Sequence, residues 1–157
     1  MELLPLNLPP YPFKILEREG KYFIFDVIRK KELLLTPEEW VRQHIVQYLI
    51  NFKNYPKALI SLEKGLRVND LLKRSDVLVF DSNTEPLLLI ECKAPEVKIS
   101  QEVFDQAARY NSVYKVKYIL ITNGLEHFCA EIEHSSSSYK FLNDIPSFNL
   151  ITSKHDA

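Results

Sequence analysis

Glycine is nearly absent from this chain, with three in 157 residues. So few cannot build the glycine-rich loops that cradle nucleotide phosphates, and neither a Gly-x-x-x-x-Gly-Lys-Ser/Thr run nor a dinucleotide fingerprint is present. Cysteine is as scarce. Cys92 and Cys129 are too few and too far apart for clustered zinc ligands or a disulfide framework, and read as reduced, partly buried thiols. There is no apolar run of about eighteen residues and no basic leader ahead of one, so the expectation is a soluble, cytoplasmic protein without a membrane segment. Charge of one sign is missing too. The formal net charge is -1, whereas non-specific affinity for nucleic acid comes mostly from Lys and Arg neutralising phosphates, so any such binding has to be local. His44, His127, His134 and His155 lack metal-ligand spacing and read as surface or helix-packed residues.

What is present is globular: 46% hydrophobic and 26% charged residues, in a length suited to one core, so residues 1–157 are read as a single domain. Residues 1–12, with Pro5, Pro9, Pro10 and Pro12, cannot be helical and read as an extended arm. Residues 13–17 and 22–28 flank a polar turn with Gly20 and form an N-terminal hairpin. The first helix starts with Thr36 as N-cap, Pro37 at its first position and Glu39 completing a capping box. Val41, Ile45, Tyr48, Leu49 and Phe52 form its apolar stripe, and the stripe traced backwards reaches Glu38. Capping accounts for Glu39; Glu38 points along the buried face. A strand over 59–64 follows, then a loop through 65–73.

Residues 76–80 and 87–93 are apolar strands joined by the turn 81–86, a hairpin. Ser100 caps a helix over 101–114, with Val103, Ala107, Tyr110 and Tyr114 at helical spacing. A strand over 117–122 runs into Asn123-Gly124, a strong hairpin signal, and a further strand over 126–133. Residues 134–157, from His134 and with four consecutive serines, form a polar, weakly patterned tail with no assigned element.

The chemistry concentrates in the hairpin. A turn centred between Asn83 and Thr84 puts Asp76 directly opposite Glu91, where cross-strand Cβ atoms lie about 4.5–5.5 Å apart, close enough for two carboxylates to share a cation. Glu91 and Lys93 project from one face of their strand and Cys92 from the other. Facing carboxylates repel and their burial is unfavourable; a divalent cation such as Mg²⁺ (or Mn²⁺) removes both penalties, and Lys93 could then orient a nucleophilic water or stabilise charge on phosphorus. A plain ion pair of Lys93 with Glu91 or Asp76 explains the spacing equally well.

Five segments in order supply more: Thr36-Pro37-Glu38-Glu39-Trp40-Val41-Arg42-Gln43, Lys73-Arg74-Ser75-Asp76-Val77, Ile90-Glu91-Cys92-Lys93-Ala94-Pro95, Gln106-Ala107-Ala108-Arg109-Tyr110 and Thr122-Asn123-Gly124. Together they resemble the PD-(D/E)xK nuclease superfamily, and more closely the N-terminal nuclease domain of type I restriction endonuclease R subunits. The resemblance implies an α/β fold with a restriction-endonuclease-like αβββαβ core, a mixed central sheet flanked by helices. It implies a Mg²⁺-dependent DNA nuclease, with Glu38 joining Asp76 and Glu91 at the metal and Lys93 assisting. Gln106 and Tyr110 match its Gln-x-x-x-Tyr element, although Tyr110 could be core and Gln106 surface. Arg42 and Arg74 are weaker candidates for DNA phosphate, and Glu63 for a supporting position. Ser75 stands where the family name has proline, which concerns backbone shape and leaves the carboxylate in place. Without a phosphate loop the expectation is a nuclease domain lacking the ATP-driven motor, with DNA, restriction-modification subunits or a second copy as partners. The alternative is a catalytically silent module on the same fold that docks on DNA or on such a subunit.

Overall fold

The computed structural model describes residues 3–62, 76–111 and 115–155, with backbone alone at Asp76, Tyr110, Asn111 and 153–155. Two sheets are built. In the smaller, β1 (Ile15–Arg18), β2 (Lys21–Asp26) and β3 (Lys31–Leu34) form an antiparallel meander. The turn at Glu19 and Gly20 takes positive φ at both residues (52° and 76°), the backbone hand that matches the twist of a tight hairpin. β3 extends the expected hairpin by a strand. Its four residues are too short to display alternation, and it is set up instead by Asp26, whose carboxylate accepts from the N–H groups of Ile28 and Arg29 at 2.8 and 3.0 Å.

α1 (Pro37–Phe52) begins as its capping residues dictate, with Thr36 Oγ1 accepting from Glu39 N at 3.1 Å. It is enclosed on more than one side, and every residue from Val41 to Gln47 is buried. Val41, Ile45 and Leu49 face the larger sheet, as the stripe predicted, while Arg42 and Gln43 reach Asp26 of the smaller one. Phe52, expected to end the buried stripe, is 60% exposed, stacked on Tyr48 at the last turn of the helix.

The larger sheet has the order β4 (Ile60–Leu62), β5 (Asp76–Phe80), β6 (Pro86–Cys92), β7 (Tyr118–Thr122), β8 (His127–Glu133), β9 (Ser138–Phe141). Only β6 and β7 pair in parallel, so the sheet is mixed, and the crossover between them carries α2 (Gln101–Asn111). Ser100 caps α2 by accepting from Val103 N at 3.2 Å, and its buried side is Phe104 and Ala107. The helix lies on the sheet face carrying Leu78, Leu89, Ile119 and Ile121; α1 covers the opposite face, with Val77, Val79, Leu88 and Ile90. The succession α1, β4, β5, β6, α2, β7 is the one the sequence implied.

The tail, left unassigned by sequence, closes this scaffold. β9 pairs with β8 along the sheet edge, and α3 (Phe148–His155) packs Ile151 into the α1-side core, with Phe148 against Tyr55. Neither pattern is periodic enough to read locally; each is completed by tertiary neighbours. The Asn123-Gly124 turn is also longer than the shortest hairpin. Four residues separate β7 from β8, and of Asn123 and Gly124 only the glycine has positive φ (85°). Among the described residues, no helix is long and apolar enough to cross a membrane.

Candidate active site

The β5–β6 hairpin has the register the turn required: Asp76 is the Cα partner of Glu91, followed by Val77 with Ile90, Leu78 with Leu89 and Val79 with Leu88. Two features hold it. Buried Asp81 organises the turn, one carboxylate oxygen accepting from Asn83 N and Glu85 N at 2.9 and 3.0 Å, while the other lies 3.9 Å from Lys117. A register shift between Val79 and Phe80 then absorbs the odd residue, so Leu87 leaves the alternation and joins the α1-side core.

Alternation along β6 sets the faces. Leu89 lies in the α2-side core, so Glu91 and then Lys93 take that side, whereas Cys92 is 2% exposed in the α1-side core. Lys93 Nζ is 3.1 Å from Glu91 Oε1, with 25% and 15% of the two side chains exposed. Lys93 N donates to Thr122 O at 2.8 Å, which carries the β6–β7 pairing one residue past the strand end. An acid and a base thus stand together at the carboxyl end of two parallel strands, under the helix bearing Gln106. Gln106 itself is exposed. The side chains of Asp76 and Tyr110, and Glu63 and Arg74 altogether, lie outside the described residues.

The first turn of α1 departs from expectation. Glu39 does supply the capping N–H, yet its carboxylate turns inward, pairing with Arg42 and accepting from Gln43 Nε2 at 3.1 Å. Arg42 Nη2 also meets Asp26 Oδ2 at 2.7 Å, and Gln43 Nε2 donates to the same oxygen at 3.2 Å. Burial pushes the Asp26 carboxyl up, but the Arg42 charge and hydrogen bond and the N–H groups of Arg29 and Ile28 outweigh it and hold the group below its usual range. For Glu39 burial wins over Arg42 and Gln43, and its pKa is raised. Arg42 is therefore corrected as a candidate for DNA phosphate: with its side chain 2% exposed and its Nη2 paired with both Asp26 and Glu39, it cannot reach a phosphate on the surface. Glu38, half-buried, forms no hydrogen bond or ion pair among the described residues, and its helix packs on the sheet face opposite Glu91 and Lys93. The fold brings Glu91 and Lys93 together and sets Asp76 across the ladder from Glu91, and among the described residues no hydrogen bond or ion pair joins Glu38 to either.

Residues 37–146 match the family of type I restriction enzyme R protein N termini. The chain belongs to that family. The match starts at the first residue of α1 and takes in α2 and all six strands of the larger sheet; the N-terminal meander lies ahead of it. No curated protein matches the chain. A solved fragment named as an HsdR subunit of a type I restriction enzyme from Vibrio vulnificus YJ016 is similar at 20% identity and a TM-score of 0.37, over 50% of this chain and 15% of that one. That likeness is too slight to bear on the fold. Among the described residues, three cavities of about 430, 530 and 310 Å³ are lined by the arm with β8, by the second half of α2 with β8 and β9, and by the start of α2 with β8. Glu91 and Lys93 line none of them.

One residue that the sequence offered as a turn signal and within the Thr122-Asn123-Gly124 segment, with no role at the site, is tied to it. Asn123, 3% exposed, donates from Nδ2 to the carbonyl of Val97 at 2.8 Å, in the segment that begins at Lys93.

Proposed function

We propose that this R-protein N-terminal domain is a Mg²⁺-dependent DNA nuclease domain of the PD-(D/E)xK kind on a restriction-endonuclease-like core, hydrolysing phosphodiester bonds. The observation that carries the reading is the pairing of Asp76 with Glu91 at the ladder end where Lys93 stands 3.1 Å from Glu91, in a chain of this family. The donor set fits a hard divalent cation: the candidates Asp76, Glu91 and Glu38 offer oxygen only, and the soft sulfur of Cys92 belongs to the opposite core. When bound, such a cation supplies Lewis acidity, acidifying water and neutralising charge that builds on phosphorus. Asp76 and Glu91 would hold it from adjacent strands. Glu38, a ligand on the family resemblance alone, has a carboxylate free of described partners but must reach the site around the strand ends.

Lys93 does the remaining work. Its ammonium is anchored by Glu91 at one side and carries further donors that can orient a water or stabilise a phosphate oxygen. Gln106 and Tyr110 would line the groove from α2, and Arg74 would hold a backbone phosphate. These residues hold no phosphate loop, so cleavage rather than ATP-driven translocation is the activity proposed for them, in the cytoplasm and with restriction-modification subunits as partners. Nicking of supercoiled plasmid with Mg²⁺ or Mn²⁺ by wild type, Asp76→Ala and Lys93→Ala tests the reading; equal cleavage by all three sinks it.

A silent module that binds DNA or a restriction-modification subunit is the second reading, favoured by one observation: Lys93 already has a carboxylate partner. Calorimetric titration with Mn²⁺ separates the two, since a silent scaffold has no need of the ion.

A further inference from the structure

We infer that Asn123 is a positioning residue for Lys93, holding the segment that follows β6 against the β7–β8 turn; the inference rests on the nuclease reading for its catalytic consequence. After Lys93 come Ala94 and Pro95, and proline has no N–H with which to continue a ladder. The sheet can therefore grip this segment only at its start, where Lys93 N donates to Thr122 O at 2.8 Å. The next residue along β7's exit supplies the second grip. Asn123 Nδ2 donates to Val97 O at 2.8 Å, and Val97 N donates back to Ala94 O at 3.0 Å, closing a turn. Thr122 and Asn123 thus hold both ends of residues 93–97.

The amide can point only one way. Asn123 Oδ1 accepts from Leu125 N and Glu126 N at 2.9 and 2.8 Å, so exchanging its oxygen and nitrogen would set two N–H donors against an NH₂ and a carbonyl against Val97 O. The turn behind it is fixed as well: Gly124 O accepts from Asn7 N at 2.8 Å, and Gly124 N donates to Thr122 Oγ1 at 2.9 Å. Asn123 joins this rigid turn to the segment carrying Lys93, whose ammonium must stay within hydrogen-bond reach of Glu91 and of a substrate. A displacement of about 1 Å in such a group costs on the order of a hundredfold in rate.

Asn123→Asp is the decisive variant, because it keeps both acceptor bonds that shape the turn and removes only the donor to Val97. Amide hydrogen exchange is followed at Lys93, Ala94, Glu96 and Val97, beside single-turnover plasmid nicking. The expected result is exchange at least about tenfold faster in this segment with α1 and β5 unchanged, and a loss of about tenfold or more in the cleavage rate with Mn²⁺ affinity retained. Asn123→Ala should show the same loss plus faster exchange at Leu125 and Glu126. Unchanged exchange over 93–97 in Asn123→Asp overturns the inference whether or not the protein cleaves DNA, and so does full activity of that variant beside an inactive Lys93→Ala. If wild type itself fails to cleave, the nuclease reading falls and takes the catalytic consequence with it, while exchange still decides whether Asn123 holds the segment.

Discussion

Arg42 and Lys93 each stand beside carboxylates, but Arg42 is walled in between α1 and the small sheet while Lys93 keeps 25% of its side chain exposed. Around Arg42 the charges are matched inside the protein: Asp26 and Glu39 both meet its Nη2, and the Gln43 amide and two backbone N–H groups complete the carboxylates, while Nε stays buried without a partner, out of a surface ligand's reach. Lys93 and Glu91 both stay partly exposed, and Glu91 is the Cα partner of another acidic residue, Asp76, across the ladder. An acid–base cluster enclosed in the interior is structural, whereas one that stays partly exposed beside a facing pair of acids is a candidate for chemistry.

The contrast can be broken experimentally. The largest effect belongs to Lys93→Ala on activity: a loss of about 10²–10⁴-fold in plasmid nicking, with urea-unfolding stability within about 1 kcal/mol of wild type because the lost pair is partly exposed. Arg42→Met should do the reverse. It strands Asp26 and Glu39 in the interior, and a loss of about 3–5 kcal/mol is expected in the same unfolding measurement. If Arg42→Met proves neutral, the buried network is not the structural member of the comparison.

Gly124→Ala comes next. Its φ of 85° is unfavourable for alanine, and the new Cβ would meet Leu6 Cδ2 at 2.8 Å and Val41 Cγ2 at 3.2 Å. A loss of about 1–2 kcal/mol, read as a fall in Tm, is expected. Loss of the cap in Thr36→Ala should amount to about 1 kcal/mol by the same measurement. The smallest effect is on pH. Burial lowers the pKa of His44, packed between Phe13 and Trp40, so the unfolded chain takes up a proton before the folded one does, and stability falls as pH drops from about 6.5. Asp26, with its lowered pKa, adds stability above its unfolded value near 3.8 that is lost in more acid solution; Glu39, shifted upward, contributes in the opposite sense. The Tm of wild type should therefore drop between pH 7 and 5.5 and that of His44→Gln should drop less; equal drops would remove His44 from the account.

Much of this was legible before any coordinates. The Asp76–Glu91 pairing followed from turn length, the helix start from Thr36, Pro37 and Glu39, and the separation of Glu91 and Lys93 from Cys92 from strand alternation, because each depends on neighbours within a few residues. What could not be read were features completed from far along the chain. Phe52 lies on the helical stripe but beyond what the sheet covers; β9 and α3 are ordered by β8 and by Tyr55 rather than by their own periodicity; and Glu39 looked like a capping residue because Asp26, its neighbour through Arg42, is thirteen positions away. Arg42 looked like a DNA ligand for the same reason.

By itself the sequence determined the hairpin register that pairs Asp76 with Glu91 and the strand face that Glu91 shares with Lys93, since local hydrogen bonding and two-residue alternation are properties of contiguous residues. Tertiary structure alone decided which basic residue is enclosed and which is open, that α1 and α2 take opposite faces of the sheet, and that Asn123 reaches back to hold the segment after Lys93. Those outcomes depend on burial and on contacts between distant parts of the chain, which no local pattern encodes.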